Sequence, residues 1–159
     1  NAVMTNGEGI WMENSTNNTL MNNTVDSNDI GLFLGTSGMN ILEHNLISRN
    51  NNGVILSNMA ESNVLANNSL YMNDLGMYLN GSSNNMIFLN KFFNFLNALD
   101  EGKNSWNSSS AGNTWNDYNG TDADGNGIGD TPYVVNQTTG SIDYMPLVHN
   151  ISSGDIQET

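Results

Sequence analysis

Gly31-Leu32-Phe33-Leu34, Asn40-Ile41-Leu42, Asn45-Leu46-Ile47 and Asn50 decide the fold: three short apolar runs separated by polar corners. The same order of residues recurs on both sides. Gly9-Ile10-Trp11-Met12 precedes it, and Gly53-Val54-Ile55-Leu56 and Gly76-Met77-Tyr78-Leu79 follow, the glycines standing 22, 22 and 23 residues apart. Asn18, Asn40, Asn63 and Asn85 form a second column at that spacing, and Asn23, Asn45, Asn68 and Asn90 a third. A fourth, Asn28, Asn50 and Asn73, is expected to break at Phe95. Several columns in phase mark a repeat protein.

The apolar runs are too short for helices, which need about ten residues. Three strands in ~22 residues make one coil of a parallel β-helix, and the usual hand of parallel connections makes it right-handed. The fold class is therefore all-β: a right-handed parallel β-helix with a loop-rich, calcium-type C-terminal cap. Residues 1–99 carry about four coils. Residues 100–159 hold an irregular last coil, a capping segment and an acidic loop, in one continuous domain. Coils stack ~4.8 Å apart, so equivalent residues lie above one another. Ile10, Leu32, Val54 and Met77 form one inward column; Met12, Leu34, Leu56 and Leu79 a second; Leu20, Leu42, Leu65 and Ile87 a third; Val25, Ile47, Leu70 and Phe92 a fourth. Alternation turns Trp11, Phe33, Ile55 and Tyr78 outward. Corner asparagines can bond their amides from coil to coil and tolerate left-handed backbone. The Trp106–Trp115 segment is expected to close the open end.

About a fifth of the chain is Asn, and there are only three basic residues, Arg49, Lys91 and Lys103. The net charge of −13 excludes nucleic acid, since nothing neutralises a run of phosphates. With no cysteine there is no disulfide, thiolate or zinc–thiolate site. No apolar run approaches the ~18 residues of a membrane span. The chain starts partway into a repeat, as a processed chain or a fragment of a longer one would. Asn14, Asn17, Asn22, Asn67, Asn80, Asn107, Asn119, Asn136 and Asn150 each open an Asn-x-Ser/Thr triplet, which suits a glycoprotein of the cell exterior.

Asp122-x-Asp124-x-Asn126-Gly127-Ile128-x-Asp130 follows the ligand spacing of an EF-hand loop. Side-chain oxygens would come from Asp122, Asp124, Asn126 and Asp130, and a backbone carbonyl from Ile128. Position twelve is Tyr133 where an EF-hand has Glu, so further ligands would come from water, Asp117 or Asp143. Hard oxygen donors favour calcium over copper or zinc. The expected role is structural, folding a charged loop that has no core of its own.

The units Asn40-Ile41-Leu42-Glu43-His44-Asn45 and Asn63-Val64-Leu65-Ala66-Asn67-Asn68 resemble NosD-type and carbohydrate-active β-helix repeats of archaeal surface proteins. Gly112-Asn113-Thr114-Trp115-Asn116-Asp117-Tyr118, the acidic loop and Asp143-Tyr144-Met145-Pro146-Leu147 resemble the segment that ends such helices. That family includes enzymes, copper-maturation factors and surface-layer components, so the resemblance implies the fold and leaves the activity open.

Catalytic groups are sparse. Asp29 and Asp74 share a column two coils apart, roughly 10 Å, wide even for an inverting carboxylate pair. Arg49 and Lys91 fall in different columns, and no catalytic residue is assigned. Copper would want clustered His or Met, but His44 and His149 are far apart, and Met4, Met21, Met59 and Met72 show no shared face. The expected function is an extracellular structural or assembly module: a surface-layer, sheath, filament or adhesin subunit at the cell surface, stabilised by calcium. Self-association is expected through the β-helix ends or the outer stripe of Trp11, Phe33 and Tyr78. The alternative is a polysaccharide-binding or polysaccharide-processing β-helix.

Overall fold

The computed structural model describes residues 1–148, and these contain no helix. About five turns of a parallel β-helix are built from three sheets. The first sheet stacks Ala2–Met4, Thr24–Asp26, Leu46–Ser48, Ser69–Tyr71, Lys91–Phe93 and Thr114–Trp115. The second, with the longest strands, stacks Glu8–Glu13, Ile30–Gly35, Asn52–Ser57, Leu75–Asn80 and Leu96–Asp100. The third stacks Thr19–Met21, Ile41–Glu43, Val64–Ala66 and Met86–Phe88. An antiparallel hairpin, Tyr133–Asn136 with Ser141–Asp143, lies beyond the last coil.

The inward columns pair in register as their spacing requires: Ile10 with Leu32, Leu20 with Leu42, Val25 with Ile47. Leu32, Leu34, Leu56, Leu70, Met77 and Leu79 are completely buried. Each such side chain contributes about 1.5–3 kcal/mol of transfer free energy. The glycines at the second position of the first four second-sheet strands allow close approach, since a Cβ on Gly31 would lie 2.5 Å from the Gly53 carbonyl oxygen.

The asparagines form three ladders. Asn45 shows the rule. Its Nδ2 donates to Asn68 Oδ1 in the next coil (2.9 Å) and to the Leu20 carbonyl below (2.9 Å), and its backbone N–H also reaches Asn68 Oδ1 (3.0 Å). Its own Oδ1 accepts from the backbone N–H and Nδ2 of Asn23. Every polar atom of the buried amide is used, as burial demands. The ladders extend further than the repeat spacing shows. The first continues from Asn85 to Asn104, and the second runs from Asn1 through Asn90 to Asn113.

Two expectations are corrected. The fourth column does not break: Asn73 bonds Asn94, 21 residues on, and Asn94 bonds Asn97. The residue missing there is the left-handed corner residue that precedes each ladder asparagine, Ser27, Arg49 and Met72 in the coils before. Phe95 takes the surface place held by Asp74 one coil earlier, its N–H bonding the Asn73 carbonyl as that of Asp74 bonds Asn50. The ladder asparagines beyond the first coil are also not the left-handed residues. Positive φ falls one position earlier, at Met39, His44, Asn67 or Leu89, because the ladder asparagine turns its amide inward.

Asn45→Ala is expected to lower stability by about 3 kcal/mol, since it strands two donors of Asn23, takes a donor from the Leu20 carbonyl and leaves Asn68 Oδ1 with the backbone N–H alone. The neighbouring His44→Gly is expected to raise stability by up to ~1 kcal/mol by relieving its φ of 55°. Urea unfolding followed by circular dichroism reads both, and equal effects would rule out this division of labour.

Candidate functional site

Two places carry the residue types that chemistry or recognition needs: the C-terminal end with its acidic loop, and the outer face of the second sheet.

At the C-terminal end the column Val25, Ile47, Leu70, Phe92 is continued by Trp115, and Tyr133 stacks on Trp115 as a lid. Centroids are 4.4 Å apart for Phe92–Trp115 and 4.1 Å for Trp115–Tyr133, both nearly parallel. Trp106 is fully buried beside them. The Trp106–Trp115 segment thus closes the end, as expected, with the hairpin above it. Each ladder delivers a late donor to a carboxylate, and in the third Asn97 Nδ2 also reaches Asn116 Oδ1 (2.7 Å). Asn104 Nδ2 donates to Asp100 (2.8 Å), the Asn113 N–H to Asp143 (2.7 Å), and Asn97 Nδ2 to Asp117 (2.8 Å). Asp100 also accepts from Trp106 Nε1, and Asp143 from Trp115 Nε1. Burial, more than its donors can offset, holds the Asp143 carboxyl above its ordinary value. Burial and then the Asp117 charge push the Tyr133 hydroxyl up.

Asp117 and Asp143 are therefore committed to the cap and do not join the acidic loop. Within the loop, Asp122 accepts from the N–H groups of Asn126 and Gly127, and Asp124 from the N–H and Nδ2 of Asn126. Asn126 Oδ1 accepts from the Ile128 N–H. Asp130 faces Thr121 and the Ala123 N–H. The Asn126 amide thus brings Asp122 and Asp124 together, while Asp130 closes the opposite side of the loop. Among the described residues no three carboxylate or imidazole groups converge on one point. The donor set nonetheless suits a hard cation. Asp124, Asn126 and Asp130 are exposed and Asp122 and Ile128 half-buried, and each carboxylate has lone pairs beyond those its amides use. The one ion pair among the described residues is elsewhere.

That ion pair joins Arg49 to Asp26 (2.8 Å). Burial pushes the Asp26 carboxyl up, but bonds from Ser48, Arg49 and Ser27 and the guanidinium charge outweigh it and hold it below the usual value. Sequence reasoning left Arg49 alone; the signal was its separation from Asp26, one coil plus one residue. Asp29 and Asp74 do share a column, with Asn51 between them donating to Asp29 (3.1 Å). His44 is an exposed corner residue; His149 and the Asn150 triplet lie outside the described residues.

The outer face of the second sheet has two outward columns, because the first and fourth residues of its strands point away from the core. One is Trp11, Phe33, Ile55, Tyr78 and Leu99, as expected for all but the last. The other, Glu8, Ile30, Asn52, Leu75 and Leu96, is hidden from simple alternation by the glycine that follows its members in the first four strands. Trp11 and Phe33 stack on each other with centroids 3.8 Å apart, yet Trp11 remains 46% exposed.

The family model described as periplasmic copper-binding protein (NosD) matches residues 1–120. No curated protein and no solved structure matches the chain.

The raised Asp143 value sets a pH dependence. The folded state holds that proton more tightly than the unfolded chain, so the contribution of Asp143 is complete below the ordinary value of 3.8 and declines as pH rises through the folded value. The stability advantage of the native chain over Asp143→Asn is therefore expected to shrink from pH 4 towards pH 7. Urea midpoints of both proteins across that range check it, and an advantage that grows with pH would refute it.

Proposed function

The chain belongs to the NosD family, and on that footing we propose that it is an extracellular structural contact module, of the surface-layer, sheath, filament or adhesin kind. One observation carries this reading: the broadest sheet presents an uncovered apolar face, with Trp11, Leu96 and Leu99 each more than a third exposed and Phe95 95% exposed beside them. Exposed apolar side chains at both ends of one face, on a chain of net charge −13, support a contact surface there. The rest of the molecule supports a scaffold role, with a filled interior and three bonded ladders.

Contact is lateral. Continuation of the ladder beyond the C-terminal end is closed off by Trp106, Trp115 and Tyr133, so a filament that grows through both ends has no acceptor there. Sugar stacking has one candidate ring on the stripe: Phe33 covers one face of Trp11, which lies on the edge strand and is 46% exposed, while Phe33 itself is flanked within the sheet.

Calcium is the ion we propose for the acidic loop, held by Asp122, Asp124, Asn126, the Ile128 carbonyl and Asp130. Bound there, it supplies the positive charge that the loop's three carboxylates lack and fastens the loop to the cap. The backbone already ties the loop to the cap, through Gly129 to Pro146 and Val148 to Gly127.

Calcium is expected to raise the thermal midpoint of the native chain and to leave that of Asp124→Ala unchanged; calorimetric titration without heat would remove the ion from the account. Incubation with uronate polymers is expected to yield no ultraviolet-absorbing unsaturated ends. Their appearance would replace the contact module with a lyase.

A further inference from the structure

We infer that the outer face of the second sheet docks a short cationic, partly apolar polypeptide segment of another protein, rather than a second copy of this chain. The inference rests on the contact-module reading and names the partner of that same surface.

Charge decides first. The face is rimmed by Glu8, Glu13, Asp29, Asp74 and Glu101, all exposed. None of the three basic residues of the chain lies on a strand of this sheet: Arg49 follows a first-sheet strand and is bonded to Asp26, Lys91 is on the first sheet, and Lys103 follows the last strand. A second copy docked face to face would bring two such rims together, and like charges across an interface are costly. A partner with Lys or Arg beside apolar residues meets both the rim and the stripe.

Size decides next. Five strands ~4.8 Å apart and six residues at ~3.3 Å each make a face of roughly 20 by 20 Å, about 400 Å². A stable globular interface buries ~800 Å² on each partner. The face is too small for that and suits a segment.

Shape gives the register. Phe95 stands at the surface place that Asp29, Asn51 and Asp74 hold in the coils before, where the missing corner residue sets it. Beside Leu96 and Leu99 it forms an apolar knob at the C-terminal end of the face. Trp11 forms another at the opposite end, with Phe33, Ile55 and Tyr78 between them and the carboxylates along the edges. A segment that alternates apolar and basic side chains fits that order.

Trp11 is exposed while Trp106 and Trp115 are buried, so tryptophan emission reports on the face. The probe is a synthetic peptide of alternating Leu and Lys, titrated into the full chain at about 150 mM salt. A saturable emission change is expected, with affinity lowered about tenfold by Phe95→Ser and by the pair Glu13→Gln and Asp74→Asn. These three side chains are exposed and none of them donates or accepts a side-chain bond, so the variants are expected to fold. The pair Glu43→Gln and Glu61→Gln removes the same charge elsewhere and is expected to change affinity by less than about twofold. Equal weakening by both pairs would reduce the binding to general attraction by an acidic chain and overturn the proposal. So would a sedimenting dimer that Phe95→Ser dissolves, which would assign the face to a second copy. Release of unsaturated uronate ends would sink the contact-module reading instead, and peptide binding is measured independently of it.

Discussion

The buried asparagine amide is the constraint on which the structure depends. It has two donors and an oxygen that accepts two bonds, and no single coil can satisfy them. Asn45 needs Asn23 below it, Asn68 above it and the Leu20 carbonyl beside it. A coil out of step by one residue would strand several polar atoms per corner in the interior, at about 1–3 kcal/mol each. The apolar columns tolerate exchange among Leu, Ile, Val and Met, and the ladders do not. Where a residue is lost between Phe93 and Asn94, the strained corner residue goes and the asparagine stays.

The ladders also have a direction. In each, the amide nitrogens donate toward the C-terminal end, so that end presents unmet N–H groups, as the N-terminus of a helix does. Asp100, Asp117 and Asp143 stand where those donors emerge, one for each ladder. A carboxylate accepts without donating, and so it ends the series. The same carboxylates hold Trp106, Tyr133 and Trp115 over the open interior. Ladder termination and apolar closure are thus one device. Its cost is the burial of charge, seen in the raised Asp143 carboxyl.

Much of this was legible in the sequence, because in-register stacking turns spacing directly into contact. The four inward columns and four asparagines in each of two ladders could be read from residue types 22 or 23 positions apart, and the tryptophan cap from the need to close the open end. What escaped lies where the spacing changes. Asn94 comes one residue early and Asn104 nineteen residues after Asn85, so both fall outside a fixed period. The outward column of Ile30, Leu75 and Leu96 was hidden because the glycine after the first two breaks strict alternation. The roles of Asp100, Asp117 and Asp143 were illegible for another reason: a carboxylate that ends a ladder occurs once and belongs to no column. In the acidic loop, ligand spacing was readable, but that same spacing also lets the carboxylates close on amides two to five residues away.

The in-register stacking that makes the interior stable also determines what the surface can offer. Side chains along an outer column stand one coil apart, close to the thickness of an aromatic ring, so flat rings such as Trp11 and Phe33 pack on each other and hide the faces they share. The outer surface then shows edges, methyl groups and the rim charges of the corners. Such a surface is poor at holding a flat ligand and good at reading a linear one, since its features repeat along a single axis at a fixed interval. The interruption at Phe93–Asn94 is one of the few breaks in that uniformity. It puts a bare phenylalanine in a place that Asp29, Asn51 and Asp74 hold in the three coils before, next to the last open rung before the cap. A uniform solenoid has no way to fix where along its length a partner binds. This chain, by dropping one residue at one corner, has a defined place.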